Sequence, residues 1–333
     1  MLKRLPGLNI LILLLAIVLI SCESGDEKRL ERYKQSPDLQ KSKAVDYFFF
    51  VGDYGRRAAL YKYDLLQNSY KMFWNDINET VIMLLYSDDE QQAFFITAFK
   101  VGVDRGVSFI RRIKLYRINI INSSVELVSE IGDAIQLYAE WVEMNFKVQF
   151  TQFDLKVASY IDKINQIYSP FGKLVNEDTE VFNFISDGYP KFDIHGYSLI
   201  SPSGNFGISK SQDSIYFLGA GNEQGVFIDS TQDRISEIKW SEDESFIFFS
   251  ANGINSAGEE RSTLYVYDVI NQKVLKKVQG RGRTNFILIK DWLIFDDYSE
   301  AKKSINIFNF RENTEVNRIQ MRGGCSVKYY TAL

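Results

Sequence analysis

From residue 44 onward, short apolar or aromatic runs recur between polar turns, and they recur in a fixed order. One element is a strand that ends in Asp or Asn. Its best copies are Leu60-Tyr61-Lys62-Tyr63-Asp64, Leu115-Tyr116-Arg117-Ile118-Asn119, Leu264-Tyr265-Val266-Tyr267-Asp268 and Ile305-Asn306-Ile307-Phe308-Asn309, with weaker copies ending at Asp162 and Asp229. Three residues beyond each corner stands Gln67, Asn122, Asn165, Gln232, Asn271 or Glu312. Asp and Asn side chains bond backbone N–H groups two residues on and tolerate the left-handed backbone of tight turns. Each copy therefore predicts a hairpin whose corner residue is structural.

Upstream of each hairpin lies a run apolar on both faces: Phe48 to Val51, Ala93 to Ile96, Ile215 to Leu218, Phe246 to Phe249 and Trp292 to Phe295, with the alternating Phe146 to Phe150 as a sixth. Such runs fit strands covered on both sides, whereas the hairpin strands alternate as half-exposed strands do. A further strand precedes the runs at Val81 to Tyr86, Ala134 to Trp141, Asn205 to Lys210, Ile235 to Trp240 and Thr284 to Lys290. The first unit lacks this leading strand, while Ser326 to Leu333 is spare at the other end; the pattern predicts that it pairs with Phe48 to Val51 and closes a ring. Six units over residues 44–333 average about 48 residues, the size of a four-stranded blade, and closure removes the open edges that make sheets aggregate. The predicted fold is all-β, a six-bladed β-propeller.

Trp240-Ser241-Glu242-Asp243-Glu244, then Phe246-Ile247-Phe248-Phe249 and Leu264-Tyr265-Val266-Tyr267-Asp268, resembles the blade repeat of TolB-type propellers: Trp-Ser-Pro-Asp-Gly, an apolar strand, then Leu-Tyr-x-x-Asp. Glu242 replaces the Pro of that pattern and Glu244 its Gly. Tyr86-Ser87-Asp88-Asp89 and Lys210-Ser211-Gln212-Asp213 are degenerate copies. The resemblance implies the propeller architecture, in a family that includes periplasmic proteins binding other envelope proteins; related propellers occur in peptidases and sugar-processing enzymes, so fold alone does not choose a function.

The first 22 residues carry a different signal. A basic start (Lys3, Arg4) leads into a predominantly apolar run from Leu8 to Ile20. At roughly 20 Å as a helix it is short of the roughly 30 Å hydrocarbon core, so it reads as a secretory leader. It ends in Leu19-Ile20-Ser21-Cys22, which resembles the lipobox of bacterial lipoproteins and implies cleavage of residues 1–21 and acylation of Cys22. Residue 23 is Glu and not the Asp of inner-membrane retention, which points to the outer membrane, on its periplasmic or surface side. Residues 22–43 are polar and charge-mixed and read as a tether; about 20 flexible residues reach roughly 25 Å. The propeller domain spans 44–333.

Composition refines this picture. With 45% hydrophobic and 25% charged residues the chain is neither disordered nor a multi-pass membrane protein, and 25 Phe and 19 Tyr beside only 5 Pro favour strands. Net charge is −4, and loss of Lys3 and Arg4 with the leader takes it to about −6, which excludes nucleic acid as a natural partner. Once Cys22 is acylated, Cys325 is the only thiol left, so the fold relies on its core without a disulfide.

Three segments exceed what the repeat requires: Thr97 to Arg112, Leu174 to Gly204 and Ala251 to Ser262. In a four-stranded blade the connection between its second and third strands and the connection to the next blade leave on one face, so all three decorate the same side, the natural place for binding groups. Candidate residues there are Arg105, Arg111, Arg112, Tyr189, His195, Tyr197, Glu259 and Arg261. The largest segment also approaches or contains Pro170, Pro190 and Pro202, and reads equally as a recognition lid or as a stabilising cap. No Gly-x-Ser-x-Gly elbow, Walker or dinucleotide glycine motif, calcium loop or His/Cys cluster occurs, so no catalytic residue, metal or cofactor is predicted. The expectation is a lipid-anchored envelope scaffold that binds a protein or peptide through this face. The alternative is a glycan-binding or glycan-active propeller that uses its central channel.

Overall fold

The structure is a computed structural model that describes residues 45–330 apart from 55–56, 88–89, 105–106, 155–158, 181–199, 212, 220–224 and 299–302. The leader, Cys22 and the tether lie outside the described residues, as do Asp88, Asp89, Arg105, Tyr189, Pro190, His195 and Tyr197.

The chain is a six-bladed β-propeller, with six antiparallel sheets following one another in sequence. Blade 1 holds β1 (Tyr47–Tyr54), β2 (Arg57–Asp64) and β3 (Ser69–Trp74). Blade 2 holds β4 (Thr80–Tyr86), β5 (Gln92–Ala98), β6 (Lys100–Asp104), β7 (Val107–Asn119) and β8 (Ser124–Ala134). Blade 3 is β9 (Gln136–Val142), β10 (Asn145–Asp154), β11 (Ser159–Tyr168) and β12 (Leu174–Glu180). Blade 4 shows three strands among the described residues, β13 (Gly207–Ser211), β14 (Ser214–Leu218) and β15 (Val226–Ser230). Blade 5 is β16 (Arg234–Trp240), β17 (Phe246–Ile254), β18 (Glu260–Asp268) and β19 (Lys273–Arg281). Blade 6 is β20 (Phe286–Ile289), β21 (Trp292–Asp297), β22 (Ser304–Asn309) and β23 (Thr314–Ile319).

The doubly apolar runs do what their pattern predicts, because adjacent residues in a strand face opposite sheets. In β5, Phe95 packs edge-on to Trp74 of blade 1 at 5.1 Å, while Phe94 stacks on Phe146 of blade 3 at 4.5 Å. In β17, Phe248 meets Phe310 of blade 6 at 4.8 Å, while Phe249 packs in the cluster that holds Ile215 and Phe217 of blade 4. Aromatic wedges thus fill the seams between blades, each burying side chains worth about 1.5–3 kcal/mol relative to exposure.

The four strong hairpin copies are four-residue turns of one design. The Asp64, Asn119 and Asn309 side chains each accept the N–H groups two and three residues on, and Asp268 accepts the N–H of Asn271 and its side-chain amide. The next residue is left-handed each time: Asn68, Ser123, Gln272 and Asn313 have φ of 51, 56, 52 and 54°. The two weak copies are not such turns. β11 runs straight through Asp162 and Asn165, and the turn follows at residues 169–173, where Ser169 and Lys173 bond and Pro170 sits. Asp229 is the penultimate residue of β15, after which the chain crosses to the next blade.

Blade 4 also corrects the expected register. Ser201 repeats the turn found at Ser87 and Ser241. In each, the serine N–H donates to the carbonyl five residues on, and its Oγ accepts the N–H of that same residue, Gln92, Phe206 or Phe246. The third residue after each serine, Glu90, Gly204 or Glu244, has positive φ. This turn joins the first and second strands of blades 2 and 5. Hence β13 is the second strand of blade 4, and the Ser-Pro-Ser-Gly at 201–204, not Lys210 to Asp213, is its copy of the family motif. Ile200 bridges Gly207 at the first-strand position. Of the expected insertion, residues 174–180 form β12 and 201–206 form this turn; the intervening 181–199 lie outside the described residues.

The ring closes at the C-terminus. In β24 (Cys325–Ser326), Ser326 pairs with Val51 and Cys325 with Gly52, the expected closure into blade 1. The chain then leaves blade 1, and β25 (Tyr329–Tyr330) pairs with Leu84 and Met83 on the free edge of β4. That second docking is not part of the predicted pairing of Ser326 to Leu333 with a single strand.

Candidate functional site

The first strands of the blades surround the axis, because groups from blades 2, 5 and 6 meet there. Glu90, in the turn between β4 and β5, pairs with Lys239 of β16 and accepts the N–H of Leu288 in β20 at 3.1 Å. Lys328, between β24 and β25, pairs with Glu237 of β16 at 2.7 Å, and Glu237 lies 4.0 Å from Lys239. Burial pushes the Glu90 carboxyl above its usual range, because desolvation outweighs the pull of Lys239, Lys328 and the Leu288 N–H. With β25 laid along the free edge of β4, these ion pairs link blade 2, blade 5 and the C-terminal segment.

The loop-bearing face is different. The connections between second and third strands and those between blades converge on it, as the line-up of Asp213, Asp233, Arg261 and Tyr298 around one depression confirms. Two hairpins rise from it. In blade 2, β6 continues β5 beyond a bend at Phe99 and pairs with the outer half of β7. In blade 5, β17 and β18 run on to Ile254 and Glu260. Both carry exposed aliphatic groups, Val103 and Ile254 each at 68% exposure.

The predicted residues divide between these features. Arg111 and Arg112 lie on the blade 2 hairpin, exposed, with the Arg111 guanidinium over the Phe109 ring at 5.5 Å and that of Arg112 over Phe99 at 4.9 Å. Arg112 is left-handed, and its N–H donates to Asp133 at 2.9 Å, so part of its role is to hold the hairpin base. Glu259 belongs to the blade 5 turn, where its carboxylate accepts the Asn255 amide at 3.0 Å. Arg261 alone enters the depression, fixed there by Nε and Nη2 donating to Asp233 Oδ1 at 3.1 and 2.9 Å. The structure does not bring these residues together: blade 2 stands across the ring from blade 5.

The depression, about 610 Å³, lies over blade 5 between blades 4 and 6. Its floor is a set of satisfied ion pairs. Asp233, 5% exposed, holds Arg261. Asp229 accepts Lys277 Nζ at 2.5 Å and the Tyr265 hydroxyl at 2.6 Å. Burial alone would raise the Asp229 carboxyl, but the bonds from Lys277 and Tyr265 prevail and hold it below its usual range. Burial and the bond to Asp229 raise the Tyr265 phenol, so it stays a donor. Above this floor Asp213, Gln232, Gln279 and Arg281 are exposed and, among the described residues, engage no other side chain. None of these was singled out from the sequence, because residues 213 to 298 meet only once three blades are assembled. Among the described residues no cluster of His, Cys, Asp and Glu is placed to hold a metal ion.

No protein-family model matches the chain, and no curated protein is significantly similar to it. Among solved structures, TolB from Acinetobacter baumannii is similar at 10% identity and a TM-score of 0.42, over 85% of this chain and 66% of that one, so this chain spans just under two thirds of TolB. A eukaryotic initiation factor is similar at 7% identity and a TM-score of 0.42, over 86% and 98% of the two chains. A chain of a nidogen/laminin complex is similar at 8% identity and 0.38, over 85% and 97%. The propeller assignment stands on the sheets and the closure described above.

Proposed function

We propose that this protein is a lipid-anchored scaffold of the bacterial cell envelope, held through Cys22, that binds another envelope protein or a peptide on its loop-bearing face and performs no catalysis. The observation that carries the reading is the contrast between axis and rim. At the axis Glu90, Lys239, Glu237 and Lys328 pair with one another, while two hairpins present Val103, Phe99 and Ile254 to solvent, with exposed Arg111 and Arg112 on the blade 2 hairpin. Exposed aliphatic groups on rigid strands, ringed by charge, are how a docking surface is built. The lipobox-like Leu19-Ile20-Ser21-Cys22 and the polar stretch to residue 43 support the anchoring, with the outer membrane as the favoured address.

The test is crosslinking in intact cells followed by affinity capture and mass spectrometry, comparing the full chain with a Val103→Ser/Ile254→Ser variant. The expected result is one envelope protein captured in near-equal amount by the wild type and depleted at least tenfold with the variant. Equal capture by both removes the hairpins from the interface. Metabolic labelling with a palmitate analogue, lost in Cys22→Ala, tests the anchor separately.

A further inference from the structure

The depression over blade 5 has a composition that a protein interface does not need. None of the residues that line it is aliphatic; the lining is carboxylate, amide, guanidinium, ammonium, hydroxyl, glycine and two tyrosines. Small-ligand sites are ordinarily apolar with a few polar groups, and at about 610 Å³ this one has their size with the proportions reversed. Of the charged residues that line it, Asp233 is paired with Arg261, Lys277 is paired with Asp229 from outside the lining, and Asp213 and Arg281 offset each other, so little net field selects an anion or a cation. What remains uncommitted on its walls are four planar groups, Asp213, Gln232, Gln279 and Arg281, each able to make two parallel hydrogen bonds.

Adjacent hydroxyls on a sugar ring offer a matching pair of donor and acceptor positions to such groups. The ligand that satisfies many planar polar groups without bringing charge or aliphatic bulk is an uncharged polyhydroxylated chain. Tyr298, half-buried with the Lys303 ammonium over its ring at 4.5 Å, also lines the depression. The site is preformed in the sense that matters for affinity, since the ion pairs below already fix Lys277, Tyr265 and Arg261. The Asp213 backbone is likewise held, its carbonyl accepting the Thr231 N–H at 2.7 Å.

We infer that the depression over blade 5 is a binding site for an uncharged oligosaccharide, read by Asp213, Gln232, Gln279 and Arg281 and separate from the axial ion pairs. The inference is independent of the scaffold reading, whose hairpin residues it does not use.

The full chain, solubilised in a detergent without a sugar headgroup, is applied to an array of neutral and charged glycans, and the best neutral oligosaccharide is then titrated calorimetrically. Saturable binding of a neutral glycan is expected, weakened about tenfold by Asp213→Ala and about tenfold by Gln279→Ala, the loss of one bidentate contact in each case. Both side chains are exposed, so the melting temperature of these variants should match the wild type. An array on which no neutral glycan is retained overturns the inference. So does retention of charged glycans alone, or an affinity unmoved by both substitutions. Val103→Ser/Ile254→Ser should bind the glycan as the wild type does, which separates this result from that of the scaffold test.

Discussion

Replacing Lys239 by Met removes the cation that holds Glu90 at the centre of the ring. Both side chains are about 10% exposed, and Glu90 also bonds the Leu288 N–H, so the carboxylate cannot swing out to water without breaking the contact between blades 2 and 6. Leaving one partner of such a pair alone costs about 3–5 kcal/mol. For a domain of this size about 2 °C of melting temperature accompany each kcal/mol, so a fall of about 6–10 °C is expected near pH 8. The penalty is conditional on the charge of Glu90. Its folded pKa is already raised by burial, and losing Lys239 raises it further. A carboxyl raised in the folded state contributes stability that is complete below the unfolded value of about 4.3 and is lost as pH rises through the folded one. Lowering the pH towards 5 should therefore return most of the lost melting temperature, because Glu90 takes up a proton and becomes a neutral donor. Glu90→Gln mimics that protonated form, so at pH 8 it should rescue Lys239→Met in the double variant. Differential scanning calorimetry of the four proteins at both pH values is the assay. An equal loss for Lys239→Met at pH 5 and pH 8, or a double variant no more stable than the single one, would refute the argument.

Three further outcomes are expected. Deleting residues 326–333 removes the Ser326 and Val327 bonds to the fully buried Asp296, leaving it to Lys303 and Asn285 and baring the edge of β1; about 3–5 kcal/mol and a rise in aggregation should follow, and a loss below about 1 kcal/mol would show that closure contributes little. Burial pushes the Cys325 thiol up to about 12, so near pH 8 iodoacetamide should leave it unmodified in the native protein and alkylate it in guanidinium, as read by peptide mapping; native labelling at the rate of a free thiol contradicts this. Gln272→Gly relieves a left-handed residue at φ 52° in an exposed turn and should raise the urea midpoint by an amount equivalent to about 0.5–1 kcal/mol at constant slope, whereas a lowered midpoint would mean that the Gln side chain is needed there.

What the sequence made legible was local chemistry. The corners at Asp64, Asn119, Asp268 and Asn309 could be read because the residue that turns the chain also bonds the next N–H groups, and that requirement is written in adjacent positions. The same spacing at Asp162 and Asp229 arises without the turn, since an Asp followed by an amide three residues on also occurs along a half-exposed strand such as β11 or at a crossing between blades. Blade 4 was misregistered because Pro202 and Gly204 looked like the end of an insertion, when they belong to a turn whose fourth position takes positive φ: Gly204 has φ 77°, and Glu90 and Glu244 adopt positive φ in its place elsewhere. The sites show the opposite limit. Glu90 meets Lys239 across 149 residues, and the depression draws on three blades, so no spacing in the chain records either of them.

The axial ion pairs also bear on how the loop face can be tested. Stability resides in the seams, where Phe94, Phe95, Phe248 and Phe249 are wholly buried, and in the axial ion pairs; Val103 and Ile254 belong to neither. The outer half of β7 keeps its pairing to β8 as far as Ile110 opposite Ala134, so the blade 2 hairpin is supported from below whatever its tip carries. Val103→Ser and Ile254→Ser should then change stability by no more than about 0.5 kcal/mol each while removing the exposed aliphatic groups from the face. If either substitution instead lowers the melting temperature by several degrees, that hairpin is a structural brace, and its exposed residue cannot be credited with recognition.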